Sequence, residues 1–258
     1  MKKILSIAVG LLFIANISAQ EDKKVRFGLS VAPSVNWYKP ENKRVFEYNG
    51  PGIGFQWGLD LEYKLNDIAS IYTGLKLTND AGKISFTQDS VGYQLSPKAD
   101  KFIDNESITS DNFYLLKERS YRVNYVTLPV GVKMKTNEIG YLTYFGQFGL
   151  NTSIRTKARA TDLSSPFDIK TGTSSAEATI DDLNIDDDMN LFRFQLSIGG
   201  GAEYNLSGST SIVFGLNYNL GFSNVARKTS RYIKNMQAEN INQRFTAHNI
   251  ALTVGILF

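Results

Sequence analysis

Cysteine is absent from the 258 residues and histidine occurs once. Without cysteine there is no disulfide, no thiolate metal site and no lipid anchor on a cysteine thiol. No group of His, Asp and Glu has metal-ligand spacing, and no glycine-rich loop has the form that cradles a phosphate. No cofactor is therefore expected. No apolar run reaches the about 20 residues that a membrane-spanning helix needs. No helical hydrophobic period of useful length appears either. Charge of one sign is also missing, with 28 basic residues against 25 acidic ones. That balance gives no general attraction to nucleic acid, so none is expected as a partner.

What is present points to export and to β structure. Lys2 and Lys3 precede an apolar stretch, Ile4 to Ile17, and Ile17-Ser18-Ala19 offers a small-residue cleavage site. This has the form of a secretory signal peptide, expected over residues 1–19 and excluded from fold reasoning. Residues 20–258 are then one domain. Losing Lys2 and Lys3 leaves 26 basic residues against 25 acidic, a net charge near +1.

The dominant signal in that domain is a period of two. Over residues 53–65, Ile53, Phe55, Trp57, Leu59, Leu61, Tyr63 and Leu65 share one parity. Gly54, Gln56, Gly58, Asp60, Glu62 and Lys64 share the other. The same alternation runs through residues 25–36, 69–78, 124–134, 141–154, 192–205, 211–222 and 248–258. Each of the eight segments is about as long as the 9–11 residues of a tilted transmembrane strand. The connections alternate in length. Residues 37–51, 79–123, 155–190 and 223–247 are long, whereas 66–68, 136–140 and 206–210 are short. Short turns on one side and long loops on the other define an outer-membrane barrel, with the long loops outside the cell. Strand-like stretches inside the loops ("GKISFTQDS", "FYLLKERSYRVNY") would carry the hairpins beyond the membrane.

A soluble β-sandwich or lipocalin-like barrel also alternates, but with its apolar face inside. Here the apolar faces carry Phe55, Trp57, Phe148, Phe194, Phe214 and many more, too much bulk for a narrow lumen, whereas lipid imposes no such limit. The sequence is therefore read as an all-β, eight-stranded antiparallel transmembrane barrel of the cell outer membrane, with outer-membrane lipid as its surroundings. Leu252, Val254, Ile256 and Phe258 alternate to a terminal aromatic residue, which resembles the signal by which outer-membrane barrels are handed to the insertion machinery; the alternative is an ordinary final strand ending in Phe.

Six charged residues on the polar parity, Arg26, Asp60, Glu62, Lys64, Lys133 and Glu203, fall toward the periplasmic end. An eight-stranded barrel is only just wide enough for its side chains, and charges in so small a space must be paired. A mixed-charge network centred on Glu62 and Glu203, facing Arg26 and at least one of Lys64 and Lys133, is expected to plug the lumen. The alternative is that these residues line a wet rim. Pro129, inside a strand, removes a ladder donor, and a bulge is expected there.

At "YVTLPVGVKMK" the sequence resembles the PorT-like, or porin-family, outer-membrane β-barrel domain, through Tyr125, Pro129, Val130 and Lys133. "SIGGGAEYNLSGSTSIVFGLNYNLGFSNV" resembles the same family through Gly199, Gly201, Glu203, Tyr204, Tyr218 and Gly221. Asn217 departs from it, standing where the family often has Arg. The resemblance implies the barrel fold and, for some members, a part in exporting surface proteins through a dedicated secretion system. The function expected is a non-enzymatic scaffold or accessory component linked to surface-protein secretion, with other secretion or surface proteins as partners. A small passive pore is the alternative, and a lipid-modifying enzyme using His248 the less favoured one, since His248 falls on the lipid-facing parity. The acidic run Ile180 to Asn190 lacks the glycine turn and final Glu of a helix-loop-helix calcium site and is expected to be a solvated loop.

Overall fold

A computed structural model describes residues 24–43, 45–87, 91–96, 98, 101–103 and 113–258. The leader expected over residues 1–19 lies outside the described residues. In chain order the strands are β1 (Val25–Pro40), β2 (Phe46–Lys64), β3 (Ala69–Phe86), β4 (Val91–Leu95), β5 (Phe102–Ile103), β6 (Phe113–Lys135) and β7 (Leu142–Asp168). They continue with β8 (Thr173–Ser174), β9 (Ala178–Asn184), β10 (Phe192–Ser207), β11 (Thr210–Gly221), β12 (Thr229–Asn235), β13 (Asn240–Asn242) and β14 (Phe245–Leu257).

Eight of these form a closed antiparallel ring. Its order is β1, β2, β3, β6, β7, β10, β11 and β14. The ring shuts where β14 pairs with β1, from Gly28 opposite Leu257 to Pro40 opposite Phe245. Closure matters because a sheet edge in hydrocarbon would leave its N–H and C=O groups without partners.

Six of the ring strands, of 16 to 27 residues, are longer than a bilayer requires, whereas β11 and β14 have 12 and 13. β7 alone has 27 residues, which rise roughly 90 Å along the strand. Only its lower part, with Tyr144, Phe148, Leu150 and Ile154 outward and exposed, belongs to the apolar belt. The same belt is built by Phe27 to Val35 on β1, Ile53 to Tyr63 on β2, Leu128 to Met134 on β6 and Ile250 to Val254 on β14. Trp37, Tyr218 and His248 stack at its upper edge, with ring centroids 6.2 and 6.1 Å apart. Amphipathic rings at that level are the usual interface girdle.

Above the belt the polarity of the same strands inverts. On β6, Val126, Leu128, Val130 and Val132 face out, while Tyr121, Val123 and Tyr125 face in and are buried. On β3 the apolar parity passes from Ile71, Leu75 and Leu77 outside to Ile84 and Phe86 inside. Residues that touch lipid lower down thus give way to residues packed around a water-exposed head. Its core gathers Tyr38, Phe46, Ile84, Tyr93, Leu116, Tyr121, Ile185, Ile233 and Phe245. Strands β4, β9, β12 and β13 extend the sheet around this head.

Three sequence expectations are corrected. The connection 37–51 is not a long loop, because β1 runs to Pro40 and β2 starts at Phe46. Much of 155–190 is likewise strand, whereas in 79–123 the two strand-like stretches do extend β3 and β6 beyond the belt, as expected. No bulge occurs at Pro129. It pairs in register with Asn151, and the shifts fall at Leu116/Glu118 and Asn124/Tyr125. The missing donor faces β3, where register partners lapse between Thr73 and Lys76. The Thr73 hydroxyl there donates to the Pro129 carbonyl at 2.8 Å, and pairing resumes at Lys76 opposite Thr127 without an extra residue. The acidic run is not simply a solvated loop. It forms β9 and a 3-10 turn at Asp186–Asp188, and Asp188 is buried.

Asp188 ties this turn to β12. Its carboxylate accepts hydrogen bonds from the Ser230 hydroxyl at 2.7 Å and the Arg231 amide at 2.6 Å. Burial pushes its carboxyl up from the ordinary value, more than those donors lower it. A raised carboxyl contributes stability that is present below the unfolded value and lost as pH rises through the folded one. Hydrogen exchange of β12 amides, corrected for intrinsic rates, should therefore show the contact weakening as pH rises from about 4, and Asp188→Asn should flatten that slope. A second outcome follows from the belt. Leu216→Arg, on an exposed outward site of β11, should cost about 2–4 kcal/mol in lipid unfolding; wild-type stability would contradict the facing.

Candidate functional site

The lumen is where the chemistry-bearing side chains converge, and it is layered. Its lowest layer, near the short turns, joins four ring strands. Arg26 on β1 donates to Glu203 on β10 at 2.7 Å and lies 4.0 Å from Glu62 on β2. Lys133 on β6 reaches Glu62 at 3.1 Å and Glu203 at 2.8 Å. Lys135, two residues on, pairs with Glu62 and lies 3.0 Å from Glu203. Arg26 also donates to the Ser211 hydroxyl at 3.0 Å. β10 is three places from β1 around the ring, so these contacts cross the lumen rather than run along one wall. Three cations and two carboxylates leave one positive charge, and Lys133 sits 4.3 Å above the Phe145 ring. That aromatic face accepts a cation in place of a third acid.

Gly201 and Gly215 make room for Phe145. A Cβ at either would stand 2.8 or 3.4 Å from the ring. Gly131 and Gly149 do the same for Tyr72, leaving 2.6 and 2.4 Å. Close approach, rather than backbone conformation, explains glycine at these inward positions.

The second layer pairs Asp60 with Lys76, which also donates to Ser30. A cavity of 110 Å³, lined by Ser30, Asp60, Lys76, Gln147, Asn217 and Thr253 among others, has room for a few waters. Along its wall, side-chain amides bridge β11 to β14 and reach past β10 to β7. Asn217 donates to Thr253 at 3.0 Å, Asn151 to Asn219 at 3.0 Å, and Asn219 to Asn249 at 2.6 Å. Thr78, Thr127 and Ser153 form a hydroxyl chain at 3.1 and 2.9 Å.

A second ion pair crosses the lumen at the top of the membrane zone. Arg193 on β10 pairs with Asp80 on β3, with its guanidinium 3.9 Å from the centre of the Tyr125 ring. Directly above lies the aromatic plug of the head. Tyr38, Tyr121 and Phe245 pack at centroid distances of 5.4, 5.0 and 5.2 Å. Higher still, Arg119 forms a fully buried fork with Asp162, at 2.8 and 2.6 Å. That carboxylate holds the guanidinium pKa above its ordinary value against the cost of burial.

Of the residues singled out in the sequence, Arg26, Glu62, Lys133 and Glu203 meet in one cluster. Asp60 lies in the next layer with Lys76. Lys64 does not enter the cluster: its ammonium is 3.0 Å from Asp67, at the short turn. Leu252 and Val254 are outward and exposed, and Ile256 shares their parity. The Phe258 amide donates to the Phe27 carbonyl at 2.7 Å. His248 lies beneath Trp37, with its Nε2 2.9 Å from the Thr246 hydroxyl. Sequence reasoning missed Lys135, although it shares the parity of Lys133. It also missed the pairs Arg193–Asp80 and Arg119–Asp162, because Asp80 and Asp162 fall in stretches read as loops, although Arg119 lies in one read as strand-like.

Comparison with known proteins agrees on the architecture. Residues 18–227 match the family described as outer membrane protein beta-barrel domain. No curated protein sequence is detectably similar to the chain. Similar solved structures include Ail, the attachment invasion locus protein of Yersinia pestis, at 13% identity and a TM-score of 0.39, covering 91% of this chain and 99% of that one. OprG of Pseudomonas aeruginosa follows at 10% identity and a TM-score of 0.46, covering 93% and 99%. Neisserial surface protein A stands at 10% and 0.41, covering 92% and 98%.

Glu203 touches all three cations of the lowest layer. Replacing it by Gln leaves them facing Glu62 alone, and breaking a buried pair typically costs about 3–5 kcal/mol. Urea unfolding of Glu203→Gln in lipid vesicles should show a loss of that order. A change under about 1 kcal/mol, as for exposed pairs, would show instead a solvated rim.

Proposed function

The chain belongs to the outer membrane protein beta-barrel domain family, and on that premise we propose that it is a non-conducting, non-enzymatic scaffold that carries a folded head outside the cell. One observation carries this reading: the lumen is crossed by ion pairs at two levels, Arg26–Glu203 below and Arg193–Asp80 above, beneath a buried aromatic plug. A conducting pore would need the charges parted and the plug removed, each at the cost of burying unpaired groups or exposing apolar ones. Long strands of 16 to 27 residues that pair beyond the belt are a rigid way to hold a recognition surface above a membrane.

The resemblance of Tyr125 to Lys135 and Ser197 to Val225 to PorT-like proteins supports an accessory part in surface-protein secretion. Such a scaffold would meet the barrel insertion machinery during assembly and other secretion or surface proteins afterwards. A small passive pore is the second reading, favoured by the 110 Å³ cavity in mid-lumen. For catalysis at His248, the contacts weigh against a triad: the ring stacks on Trp37 and meets the Thr246 hydroxyl, with no acid beside it among the described residues.

Planar-bilayer recording of the purified protein in molar KCl tests the reading. No sustained single-channel current is expected from the wild type. Deletion of the gene should reduce the surface display of secreted proteins, and mild detergent extraction should co-purify a secretion component. Steady conductance in the wild type would overturn the scaffold in favour of the pore.

A further inference from the structure

The outer face of β3, β6 and β7 changes character within two rows of the belt. Its last apolar row is Leu77, Val126 and Ile154, which stand side by side. The next is Asn79, Asn124 and Lys157, and the one after that Ala81, Arg122 and Arg159. Each row adds about 7 Å along the strand, so all three cations stand at headgroup height. The first carboxylate on this face of the three strands, Glu118, comes two rows higher, opposite Ser85.

Two of the cations lack a counter-charge. Arg159 lies 3.4 Å from Asp182 and 3.5 Å from Asp186. Arg122 and Lys157 are exposed and have no carboxylate partner among the described residues. Arg122 also stands directly opposite Arg159. Like charges directly opposite on neighbouring strands are destabilising unless an anion comes between them. The opposite side of the barrel meets the same level with Trp37, Tyr218 and His248, and β1 adds Lys39 one row above Trp37, so the cluster of cations lies on the β6–β7 side.

We infer that Arg122 and Lys157, with Arg159 beside them, form a docking site for the phosphorylated glycolipid of the outer leaflet. The reasoning is charge complementarity at fixed depth. Belt residues hold the acyl chains, and the phosphates of a diphosphoryl glycolipid then lie level with the guanidinium and ammonium groups. A guanidinium forks onto a phosphate through paired N–H donors, while the lysine contributes a point charge. The inference is independent of whether the lumen conducts.

Native mass spectrometry of the full chain in detergent, titrated with diphosphoryl lipid A, tests this. Juxtamembrane cations contribute enough each that Arg122→Gln with Lys157→Gln should weaken binding by about tenfold or more. Lys39→Gln with Lys228→Gln removes the same charge elsewhere on the head side and should leave binding near wild type. Arg122→Lys with Lys157→Arg, which keeps both charges, should retain most of it, and gel heat-modifiability checks that each variant is folded. Excess inorganic phosphate should not displace the lipid, whereas enzymatically dephosphorylated lipid A should bind no better to the wild type than to the double Gln variant. Undiminished binding by a folded Arg122→Gln, Lys157→Gln protein would overturn the site. Equal loss in both charge-removing pairs would overturn it too, as would displacement by free phosphate.

Discussion

Hydrocarbon offers no hydrogen bond, and every other feature of this molecule follows from that. A strand in the bilayer must find partners for all its N–H and C=O groups in other strands, so the sheet has to close. Here closure is the pairing of β14 with β1, from Gly28 opposite Leu257 upward. Once the sheet is a ring, its two faces meet different media. The outer face must be apolar and the inner one takes every polar side chain, in a lumen with little space for water. Charges placed there have to find one another, which is why Arg26, Glu62, Lys133, Lys135 and Glu203 meet from four strands.

The same constraint explains why polarity inverts partway along β1, β3, β6 and β14. Above the bilayer the outer face meets water, and the lumen becomes the only place to bury apolar groups. β6 shows both regimes in one strand: Val126 to Met134 face lipid on one parity, and Tyr121 to Tyr125 fill the head on the other. The transition is marked by the register shift at Asn124/Tyr125 and sealed by Arg193 lying over Tyr125. The extra residue there is Thr156 on β7, and it re-aims that strand, whose buried positions pass from Ser153 below to Ala158 above. The head is thus a water-soluble barrel continuous with a membrane barrel, its aromatic plug resting on the upper ion pair.

Much of this was legible in the sequence because the belt imposes a strict period of two with one apolar parity. Residues 53–65 and 211–222 show it without interruption. The extramembrane strands were harder to read for a definite reason. Where apolar residues change parity, as between Leu77 and Ile84, a search for one continuous alternation stops and reports a loop. Asp80 and Asp162 were lost in that gap, and with them both upper ion pairs. In the lowest layer, parity and depth placed Arg26, Glu62, Lys133 and Glu203 on one interior face. They could not distinguish Lys64, which reaches the turn and Asp67, from Lys135, which reaches inward. That choice depends on how a long flexible side chain is directed at a strand end. Pro129 misled because a missing donor can interrupt a ladder for two pairs, here between Thr73 and Lys76, and leave the register unchanged.

The absence of cysteine makes the inversion directly measurable, since single cysteines from residue 121 to residue 134 on β6 can carry nitroxide labels without background. In lipid vesicles, labels at Val126, Leu128, Val130, Val132 and Met134 should be accessible to oxygen dissolved in the bilayer, and labels at Arg122 and Asn124 to a water-soluble relaxant. Labels at Tyr121, Val123 and Tyr125 should be reached by neither. Labels at Tyr121 and Val123 open to water, or labels at Arg122 and Asn124 reached by oxygen in the bilayer as readily as those at Val126 to Met134, would contradict the inverted barrel.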